Sequence, residues 1–320
     1  MEITEETRER LTAIPNVFVS AGTLLSRYTR FGIGGPALIY AETESVESFI
    51  AALHASRTSG LPAMVIGNGT NLIVADSGFP GIVLRFVADR ILFAGGRVSC
   101  DAGVVLQNLV DCTVDRGLKG LETLAGIPGS AGAAVYGNAG AYGHSISERV
   151  RSVRFFDGEA VRVFDNEQCE FRYRESVFKR HKEWIIFSTE LLLDSGDAAE
   201  LGRIAGDIVK VRNEKFPPAM KCAGSIFKNF LLAELPEAVA GQVPAAVVRE
   251  GKVPAAYFLE QVGAKGMRLG DIHVADYHAN LIYNGGQGTA RDLCALIREL
   301  KQRVGDRFGV QLEEEVQYVG

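Results

Sequence analysis

Residues 126–143 read GIPGSAGAAVYGNAGAYG, and this stretch carries the strongest structural signal in the chain. Glycine recurs at positions 126, 129, 132, 137, 140 and 143, and alanine fills most of the gaps between them. Such a run leaves the backbone almost free of side-chain bulk, so that successive N–H groups can converge on an anion such as a phosphate. We expect it to hold a large ligand, for which a dinucleotide is the best candidate. The alternative is a tight packing corner without a ligand.

The composition is that of a globular protein with sizeable cores. The chain has 320 residues, of which 47% are hydrophobic and 23% charged, and this length suggests about two domains. The formal net charge is −5, and lysine and arginine are scattered along the chain rather than concentrated in a stripe. Nucleic acid is therefore not an expected partner. An anionic ligand would have to be met by local positive charges.

The cysteines and the apolar runs indicate where the protein works. The chain has five cysteines, an odd number, widely spread and without a C-x-x-C pair, which favours reduced thiols over disulfides or a thiolate zinc site. The first residues are acidic and lack the apolar core of a secretory signal. No uncharged apolar run reaches the roughly 20 residues that a membrane span needs. We expect a cytoplasmic protein with no membrane partner.

A second glycine-rich turn follows the predicted strand Ala63–Ile66. It comprises Gly67, Asn68, Gly69, Thr70, Asn71 and Leu72. The order of strand and glycines resembles the opening of a Rossmann fingerprint, but Leu72 stands where the third glycine belongs, and an apolar run follows instead of a helix. A Rossmann site is therefore disfavoured. A phosphate-binding turn of another kind and a plain turn at the end of a strand both stay open.

Periodicity and turn signals predict an α+β protein. We expect helices from Thr43 or Ser45 to about His54, and over residues 105–115, 198–213, 255–262 and 289–308. Strands are expected over 38–40, 63–66, 81–86, 97–100, 184–188, 280–283 and 315–319, with a hairpin over 153–163 that turns at Asp157 and Gly158. A change in composition near residue 198, followed by Pro217 and Pro218, indicates a boundary between two halves.

Six motifs occur in an order that resembles one known family. They are TRFGIGGPA at 29–37, GNGTN at 67–71, the stretch 126–143, YRES at 173–176, AGSIFKN at 223–229 and LEEEV at 312–316. From about residue 20 to the end, the chain resembles the UDP-N-acetylenolpyruvoylglucosamine reductases. The resemblance implies an FAD-binding module of the vanillyl-alcohol-oxidase (PCMH) type over 20–195, built from two α+β subdomains. It further implies an α+β substrate-binding domain over 196–306 and a C-terminal strand with a catalytic glutamate over 307–320.

The resemblance also implies a reaction and a cofactor site. NADPH reduces bound FAD, and the flavin reduces UDP-N-acetylglucosamine enolpyruvate to UDP-N-acetylmuramate, a peptidoglycan precursor needed for cell wall, cell shape and division. We expect a monomer. The residues implied to contact FAD are Gly67, Asn68, Gly69, Thr70, Asn71, Leu72, Gly126, Ile127, Pro128, Gly129, Ser130, Gly132, Asn138 and Gly140.

Three residues resemble the catalytic set of the family. Hydride addition to the enolpyruvyl methylene places negative charge on the neighbouring carbon and carboxylate, and Arg174 is implied to stabilise it with a bidentate guanidinium. Ser225 is implied to donate the proton that the enolate carbon needs. Glu315 is implied to share the enol proton or to polarise the carboxylate. Taken singly, each has a plainer reading, as a surface arginine, a loop serine and a solvated acidic edge.

Four further residues are implied to bind the UDP-sugar. Lys228 and Asn229 belong to the family's Phe-Lys-Asn segment, and Lys265 and His278 are added from the second half. His273 and His278 have no carboxylate or cysteine cluster near them in sequence, so no metal is implied. The short interval between Arg174 and Ser225 leaves no room for the insertion with a substrate-clamping tyrosine, so the chain resembles the shorter variety of the family.

Two other functions stay open at this stage. One is a flavoenzyme on the same module that oxidises small alcohols or hydroxy acids. The other is a nucleotide-sugar sensor that binds without turnover. Neither function would need Arg174, Ser225 and Glu315 together, and all three residues are present.

Overall fold

The computed structural model describes residues 2–320, which form two compact units. Unit 1 holds the chain up to Thr23, then Ala37–Gly69 and Pro80–Glu214. Unit 2 holds Leu24–Pro36, Thr70–Phe79 and Lys215–Gly320. The mixture of helices and strands in both units confirms the predicted α+β class.

The units divide the chain differently from the domains predicted over 20–195, 196–306 and 307–320. Helical residues 198–214 belong to unit 1 because Leu201 and Ala205 are buried in its core. Two early segments belong to unit 2 because Phe31, Ile33 and Ile73 are part of the core of that unit. The sequence shows a change in composition near residue 198, but not which core each segment joins. The predicted functional domains stay a prediction.

The helices lie close to the positions that the sequence predicts, with α1, α4, α5 and α7 as additions. The α-helices are α1 (Glu2–Thr12), α2 (Val46–Thr58), α3 (Leu106–Val114), α4 (Ala131–Tyr136), α5 (Val177–Arg180), α6 (Ala198–Lys215), α7 (Glu237–Ala240), α8 (Ala255–Gln261) and α9 (Ala290–Phe308). Short 3-10 turns occupy Leu25–Arg27, Glu122–Leu124, Ile146–Glu148, Leu232–Glu234 and Ala245–Val247. Within residues 2–320, no helix combines the length and the apolar character needed to cross a membrane.

The strands are short, and most of them pair antiparallel. They are β1 (Phe18–Leu24), β2 (Pro36–Thr43), β3 (Ala63–Ile66), β4 (Leu72–Val74), β5 (Phe79–Phe86), β6 (Ile91–Ala94), β7 (Arg97–Asp101), β8 (Leu118–Lys119), β9 (Gly140–Ala141), β10 (His144–Ser145), β11 (Val150–Phe156), β12 (Val161–Asp165), β13 (Ile185–Leu192), β14 (Asp194–Ser195), β15 (Phe230–Leu231), β16 (Lys252–Val253), β17 (Arg268–Leu269), β18 (Ile272–Ala275), β19 (His278–Asn284) and β20 (Gln317–Val319).

Two larger sheets form the framework of unit 1. A four-stranded sheet has the order β1-β2-β5-β3, with β3 parallel to β5, and a five-stranded antiparallel sheet has the order β12-β11-β13-β7-β6. The rings of Phe49, Phe86 and Phe187 pack edge to face in one core. A second core contains the buried face of α3 and the buried residues of α4. The second of these cores lies under the glycine-rich stretch.

The hairpin predicted from Asp157 and Gly158 is confirmed. Strands β11 and β12 pair antiparallel, with Val153 opposite Phe164. The carboxylate of Asp157 accepts hydrogen bonds from the N–H groups of Glu159 (2.8 Å) and Ala160 (2.7 Å). These bonds close the turn locally, so the sequence could predict it.

Unit 2 packs α8 and α9 against the three-stranded sheet β17-β18-β19. The side chain of Thr289 caps α9 by accepting from the N–H of Asp292, and Gly309, with a φ of 68°, ends it. Asp76 adds a second cap, since its two carboxylate oxygens accept from the N–H groups of Ala290 (2.8 Å) and Arg291 (3.1 Å). The last strand, β20, runs parallel to β4, with Gln317 opposite Leu72. It begins two residues later than the predicted strand 315–319.

Candidate functional site

The glycine-rich stretch of unit 1 contains two backbone turns that favour glycine. Gly126 has a φ of +75° and Gly129 a φ of +125°, both in the left-handed region that other residues avoid. After them, the hydroxyl of Ser130 accepts from the N–H of Ala133 (3.3 Å) and starts α4. The sequence does not predict this short helix, because Gly132 lies within it and Gly129 and Gly137 lie close to its two ends.

The first and second glycine-rich stretches meet within unit 1. A Cβ atom added to Gly67 would lie 3.4 Å from the hydroxyl oxygen of Ser130 and 3.8 Å from the Cβ of Ala133. Gly69, Gly129 and Ser130 are buried, and within residues 2–320 no hydrogen bond starts from their backbone N–H groups. Buried N–H groups without a protein acceptor fit the phosphate oxygens of a dinucleotide. The residues present therefore fit FAD.

Other predicted cofactor residues have packing roles in the structure. A Cβ on Gly132 would lie 2.6 Å from the Cβ of Ala102, so this glycine permits close approach of α4 to the chain at residue 102. The N–H of Ile127 donates to the carbonyl oxygen of Leu124 (3.1 Å), and Pro128 is exposed. A role for Ile127, Pro128 and Gly132 in FAD binding stays a prediction.

Arg85 supports the turn at Asn68, although no sequence motif identifies it. Its guanidinium donates to the side-chain oxygen of Asn68 (2.8 Å) and pairs with the carboxylate of Glu42 (3.5 Å). The feature of the sequence that could have identified Arg85 is its place in the apolar run of β5, in a segment that is otherwise mostly buried. An arginine in such a segment needs polar partners, and these partners are far away in sequence.

The end of the second glycine-rich stretch belongs to unit 2. There the side-chain amide of Asn71 donates to the carbonyl oxygen of Glu315 (2.6 Å), and Leu72 is the first residue of β4. Thr70, Asn71 and Leu72 are therefore separated from Gly67–Gly69 in the division into units. Their predicted contact with FAD stays a prediction.

Arg174 lies in a tight turn that the end of the glycine-rich stretch supports. Arg172 and Glu175 exchange two backbone hydrogen bonds (3.0 and 3.1 Å), which leaves Tyr173 and Arg174 at the tip. The φ of Arg174 is +56°, a strained value for a residue with a side chain, and such strain is concentrated at functional sites. The guanidinium donates to the carbonyl oxygen of Gly140 (3.0 Å) and lies over the ring of Tyr173.

A second contact ties the same turn to the glycine-rich stretch. The side-chain amide of Asn138 donates to the carbonyl oxygen of Arg172 (2.8 Å). Asn138 is itself buried and has a φ of +43°. The predicted residues Asn138, Gly140 and Arg174 are thus brought together in unit 1.

Unit 2 brings Ser225 and Glu315 onto adjacent backbone segments. The carbonyl oxygen of Ile226, next to Ser225, accepts from the N–H of Glu315 (2.8 Å). The pairing continues with Phe227 opposite Glu314 and with the N–H of Lys228 donating to the carbonyl oxygen of Glu313 (2.9 Å). On its other side, Ser225 pairs with Leu281 of β19.

The three consecutive glutamates have different surroundings. Glu313 forms an ion pair with Lys228, and Glu314 forms one with Lys301 (2.7 Å). The hydroxyl of Tyr318 also donates to Glu314 (3.3 Å), and burial raises the pKa of that tyrosine. Glu315 lies in a bend and not in the regular strand predicted over 315–319.

The predicted substrate-binding residues all lie in unit 2. The side chain of Lys228 is mostly buried, and the side-chain oxygen of Asn229 accepts from the N–H of Ala255 (3.2 Å) at the start of α8. Lys265 forms an exposed ion pair with Glu260 (2.9 Å). Burial lowers the pKa of His278 to about 4, and the positive charge of Lys215 adds to the effect. Contact with a UDP-sugar stays a prediction for all four.

Asn280 is a second functional candidate that no sequence motif identifies. It is 2% exposed, and its side chain binds both the N–H (2.9 Å) and the carbonyl oxygen (2.8 Å) of Phe227. Its backbone N–H donates to Nδ1 of His278 (3.1 Å). In the sequence it is one polar residue in a predicted strand, and no local pattern identifies its partner.

Comparisons with known proteins agree on one family. Residues 216–319 match the family model of the C-terminal domain of UDP-N-acetylenolpyruvoylglucosamine reductase, and residues 37–163 match that of an FAD-binding domain. A protein of Solibacter usitatus (strain Ellin6076), named UDP-N-acetylenolpyruvoylglucosamine reductase, is 70% identical over 311 residues, which are 97% of this chain and 100% of that protein. A protein of the same name from Alkaliphilus oremlandii (strain OhILAs) is 34% identical, over 96% of this chain and 95% of that protein.

A solved structure gives the same result. The crystal structure of UDP-N-acetylenolpyruvylglucosamine reductase from Thermus caldophilus superimposes with a TM-score of 0.74 at 31% identity, over 95% of this chain and 100% of that one. Together with the FAD-binding match, it confirms the predicted FAD-binding α+β architecture.

Proposed function

The chain belongs to the UDP-N-acetylenolpyruvoylglucosamine reductase family and is an FAD-dependent oxidoreductase, and from this premise we propose that it reduces UDP-N-acetylglucosamine enolpyruvate to UDP-N-acetylmuramate, with NADPH as reductant. The observation that carries the proposal is the pairing of the segment of Ser225 with the segment of Glu315 in unit 2. A proton donor and a carboxylate held on neighbouring backbone are what protonation of an enolate requires. The product is a precursor of peptidoglycan.

The cofactor would be held mainly by backbone groups of unit 1. The buried N–H groups of Gly69, Gly129 and Ser130 would receive the diphosphate oxygens. Arg85 keeps Asn68 oriented beside them. When bound, FAD supplies the hydride that passes to the terminal methylene of the enolpyruvyl group.

Arg174 would stabilise the negative charge that this transfer creates. A guanidinium binds a carboxylate through two parallel hydrogen bonds, a geometry that lysine cannot reproduce. The contacts with Gly140 and Tyr173, together with the strained backbone, hold the side chain in place before substrate arrives. A charge fixed in advance needs no reorganisation during the reaction.

Ser225 would deliver the proton to the enolate carbon. A serine hydroxyl is a weak acid, but transfer to a carbanion-like carbon is downhill, and a positioned donor accelerates such a step about 10²- to 10⁴-fold. The hydrogen bond from the N–H of Glu315 to the carbonyl oxygen of Ile226 keeps the backbone of Glu315 beside the segment that carries the serine. Glu315 would share the enol proton or polarise the substrate carboxylate.

Lys228, Asn229, Lys265 and His278 would bind the UDP-sugar. The lysines supply positive charge for the diphosphate. The imidazole of His278 is neutral near pH 7 because burial lowers its pKa to about 4. Its Nδ1 atom accepts from the N–H of Asn280, so the ring can donate only from Nε2. We expect a neutral donor at this position and not a cation.

Anaerobic stopped-flow absorbance of the purified, FAD-loaded protein tests the proposal. Addition of NADPH should bleach the flavin band, and subsequent addition of UDP-N-acetylglucosamine enolpyruvate should restore it. Bleaching without recovery would leave a flavoenzyme with a different substrate and would overturn the proposed reaction. Failure of the protein to bind FAD would contradict the family assignment of the cofactor site.

A further inference from the structure

The side-chain amide of Asn280 extends the backbone hydrogen bonding between its own strand and the segment of residues 226 and 227. The N–H of Ile226 donates to the carbonyl oxygen of Asn280 (3.1 Å), which is an ordinary link between adjacent segments. One residue further, the side chain of Asn280 replaces a backbone partner by accepting from the N–H of Phe227 (2.9 Å) and donating to its carbonyl oxygen (2.8 Å). One side chain thus holds both polar groups of a single peptide residue.

The segment that Asn280 holds is the one that connects Ser225 to Glu315. Phe227 is paired with Glu314 on its other side, and Ile226 accepts from the N–H of Glu315 (2.8 Å). A shift of Phe227 would therefore move Ser225 along the chain and Glu315 across the pairing. The position of both groups depends on how firmly Phe227 is fixed.

We propose that Asn280 is a positioning residue that sets the placement of the Ser225 hydroxyl relative to the Glu315 carboxylate. The inference rests on the proposed function, because it assigns Asn280 to the protonation step of that reaction. An amide is suited to this role because it donates and accepts at the same time. At 2% exposure, Asn280 is shielded from water that could otherwise take over either bond.

Misplacement of reacting groups is costly even when the fold survives. A displacement of about 1 Å at a site of chemistry can lower a rate about 10²-fold. Loss of the Asn280 amide should therefore slow protonation and leave the reduction of flavin by NADPH largely unaffected. This separation of the two half-reactions distinguishes positioning from general loss of structure.

The chain offers a matched control on the same strand. Asn284 is also buried, at 4% exposure, and its side chain also forms several backbone hydrogen bonds. It donates to the carbonyl oxygen of Phe31 (2.8 Å) and accepts from the N–H groups of Gly286 and Gly288 (both 2.8 Å). These partners are loop residues, and none of them belongs to the pairing of residues 225–228 with 313–315. Replacement of Asn284 thus removes a comparable set of buried bonds, none of which is made to Phe227.

The experiment compares Asn280→Ala, Asn280→Ser and Asn284→Ala with the unsubstituted holoenzyme. Flavin reduction by NADPH and flavin reoxidation by UDP-N-acetylglucosamine enolpyruvate are timed separately by stopped flow. For both Asn280 variants we expect reoxidation to be slowed about 10- to 100-fold, with reduction changed by less than about 2-fold. For Asn284→Ala we expect no such separation. The serine variant removes less volume than alanine and decides the result if Asn280→Ala fails to fold.

A double-mutant cycle shows whether Asn280 acts through the serine. If it does, Asn280→Ser in a Ser225→Ala background should slow reoxidation no further than Ser225→Ala alone. Additive losses, or equal loss in both half-reactions, or the same separation in Asn284→Ala, would overturn the inference. Failure of the proposed function is a different result, since the unsubstituted enzyme would then not be reoxidised by the UDP-sugar.

Discussion

The side-chain amide of Asn71 donates a hydrogen bond of 2.6 Å to the backbone carbonyl oxygen of Glu315. A second bond returns from the N–H of Gln317 to the carbonyl oxygen of Asn71 (3.0 Å). The end of the second glycine-rich stretch is thus hydrogen-bonded to the backbone of Glu315, the predicted catalytic glutamate, within unit 2, although Asn71 and Glu315 are 244 positions apart in sequence. A substitution at Asn71 should therefore alter the position of the backbone at Glu315.

Replacement of Asn71 by aspartate should destabilise the protein. The carboxylate has nearly the same shape but cannot donate, so an oxygen would face the carbonyl of Glu315 without a proton between them. We expect a loss of about 1–3 kcal/mol in the free energy of unfolding, measured by urea titration with an unchanged m value. Asn16→Asp, at an exposed position, serves as control and should be nearly neutral. Equal midpoints for the two variants would contradict a structural role for the bond.

Arg174→Lys should impair the oxidative half-reaction. Lysine keeps the charge but loses the two parallel bonds to a carboxylate, and removal of one such donor typically costs about 10²- to 10³-fold in rate. The measurement is the rate of flavin reoxidation by UDP-N-acetylglucosamine enolpyruvate, beside the rate of reduction by NADPH. Arg203→Lys, on the exposed face of α6, is the matched control. Turnover near the unsubstituted level in Arg174→Lys would refute a bidentate requirement.

Gly126→Ala should weaken both the fold and the binding of FAD. The backbone there has a φ of +75°, and the new Cβ would lie 3.0 Å from Cδ and 3.1 Å from Nε of Arg212. Left-handed backbone costs a residue with a side chain about 1–2 kcal/mol. Urea titration and fluorescence titration with FAD measure the two effects.

A second glycine provides the control for this substitution. Gly206 lies within α6, and a Cβ there would meet nothing within 4 Å. Gly206→Ala should therefore stabilise the protein by about 0.5–1 kcal/mol and leave FAD affinity unchanged. If Gly126→Ala also left FAD affinity unchanged and did not destabilise the protein, the predicted requirement for glycine at position 126 would be refuted.

His278 should make the protein less stable as the pH falls from about 6.5 towards 4. Burial lowers its pKa from 6.5 to about 4 in the folded state. In that interval the unfolded chain binds more protons than the folded one, so stability is full above about pH 6.5 and is lost on acidification. Urea titrations of the unsubstituted protein and of His278→Gln at several pH values test this. Carboxylates titrate in both proteins, so their contribution cancels in the comparison. The free energy of unfolding of the unsubstituted protein relative to that of His278→Gln should fall as the pH falls. A constant difference would contradict the lowered pKa of His278.

Local signals made much of the fold predictable. The turn at Asp157 and Gly158 and the caps Ser45 and Thr289 depend on residues within a few positions of one another. The helix α4 was missed because it has only six residues, one of them glycine, and so short a helix is not stable in isolation; burial of Ala131 and Val135 supplies the stabilisation.

Residues that support the predicted site residues are harder to identify from the sequence than the predicted site residues themselves. Arg174, Ser225 and Glu315 are named by short motifs, whereas Arg85 and Asn280 are identified by partners distant in sequence. The parallel pairing of Gln317 with Leu72 is also invisible in the sequence, since register between remote strands is set by the completed core. The catalytic roles inferred from the motifs stay predictions, whereas the long-range contacts that support those residues became visible only in the structure.

The parallel pair of β4 and β20 has a consequence for biosynthesis. The ribosome releases residues 72–74 long before residues 317–319, so β4 must wait with an unpaired edge while most of the chain is made. Closure of so long a loop is slow, and an open apolar edge invites association with other nascent chains. Unit 2 thus depends on residues that are translated long after β4, and a chain released before residues 317–319 are made would leave the β4 edge without its native partner.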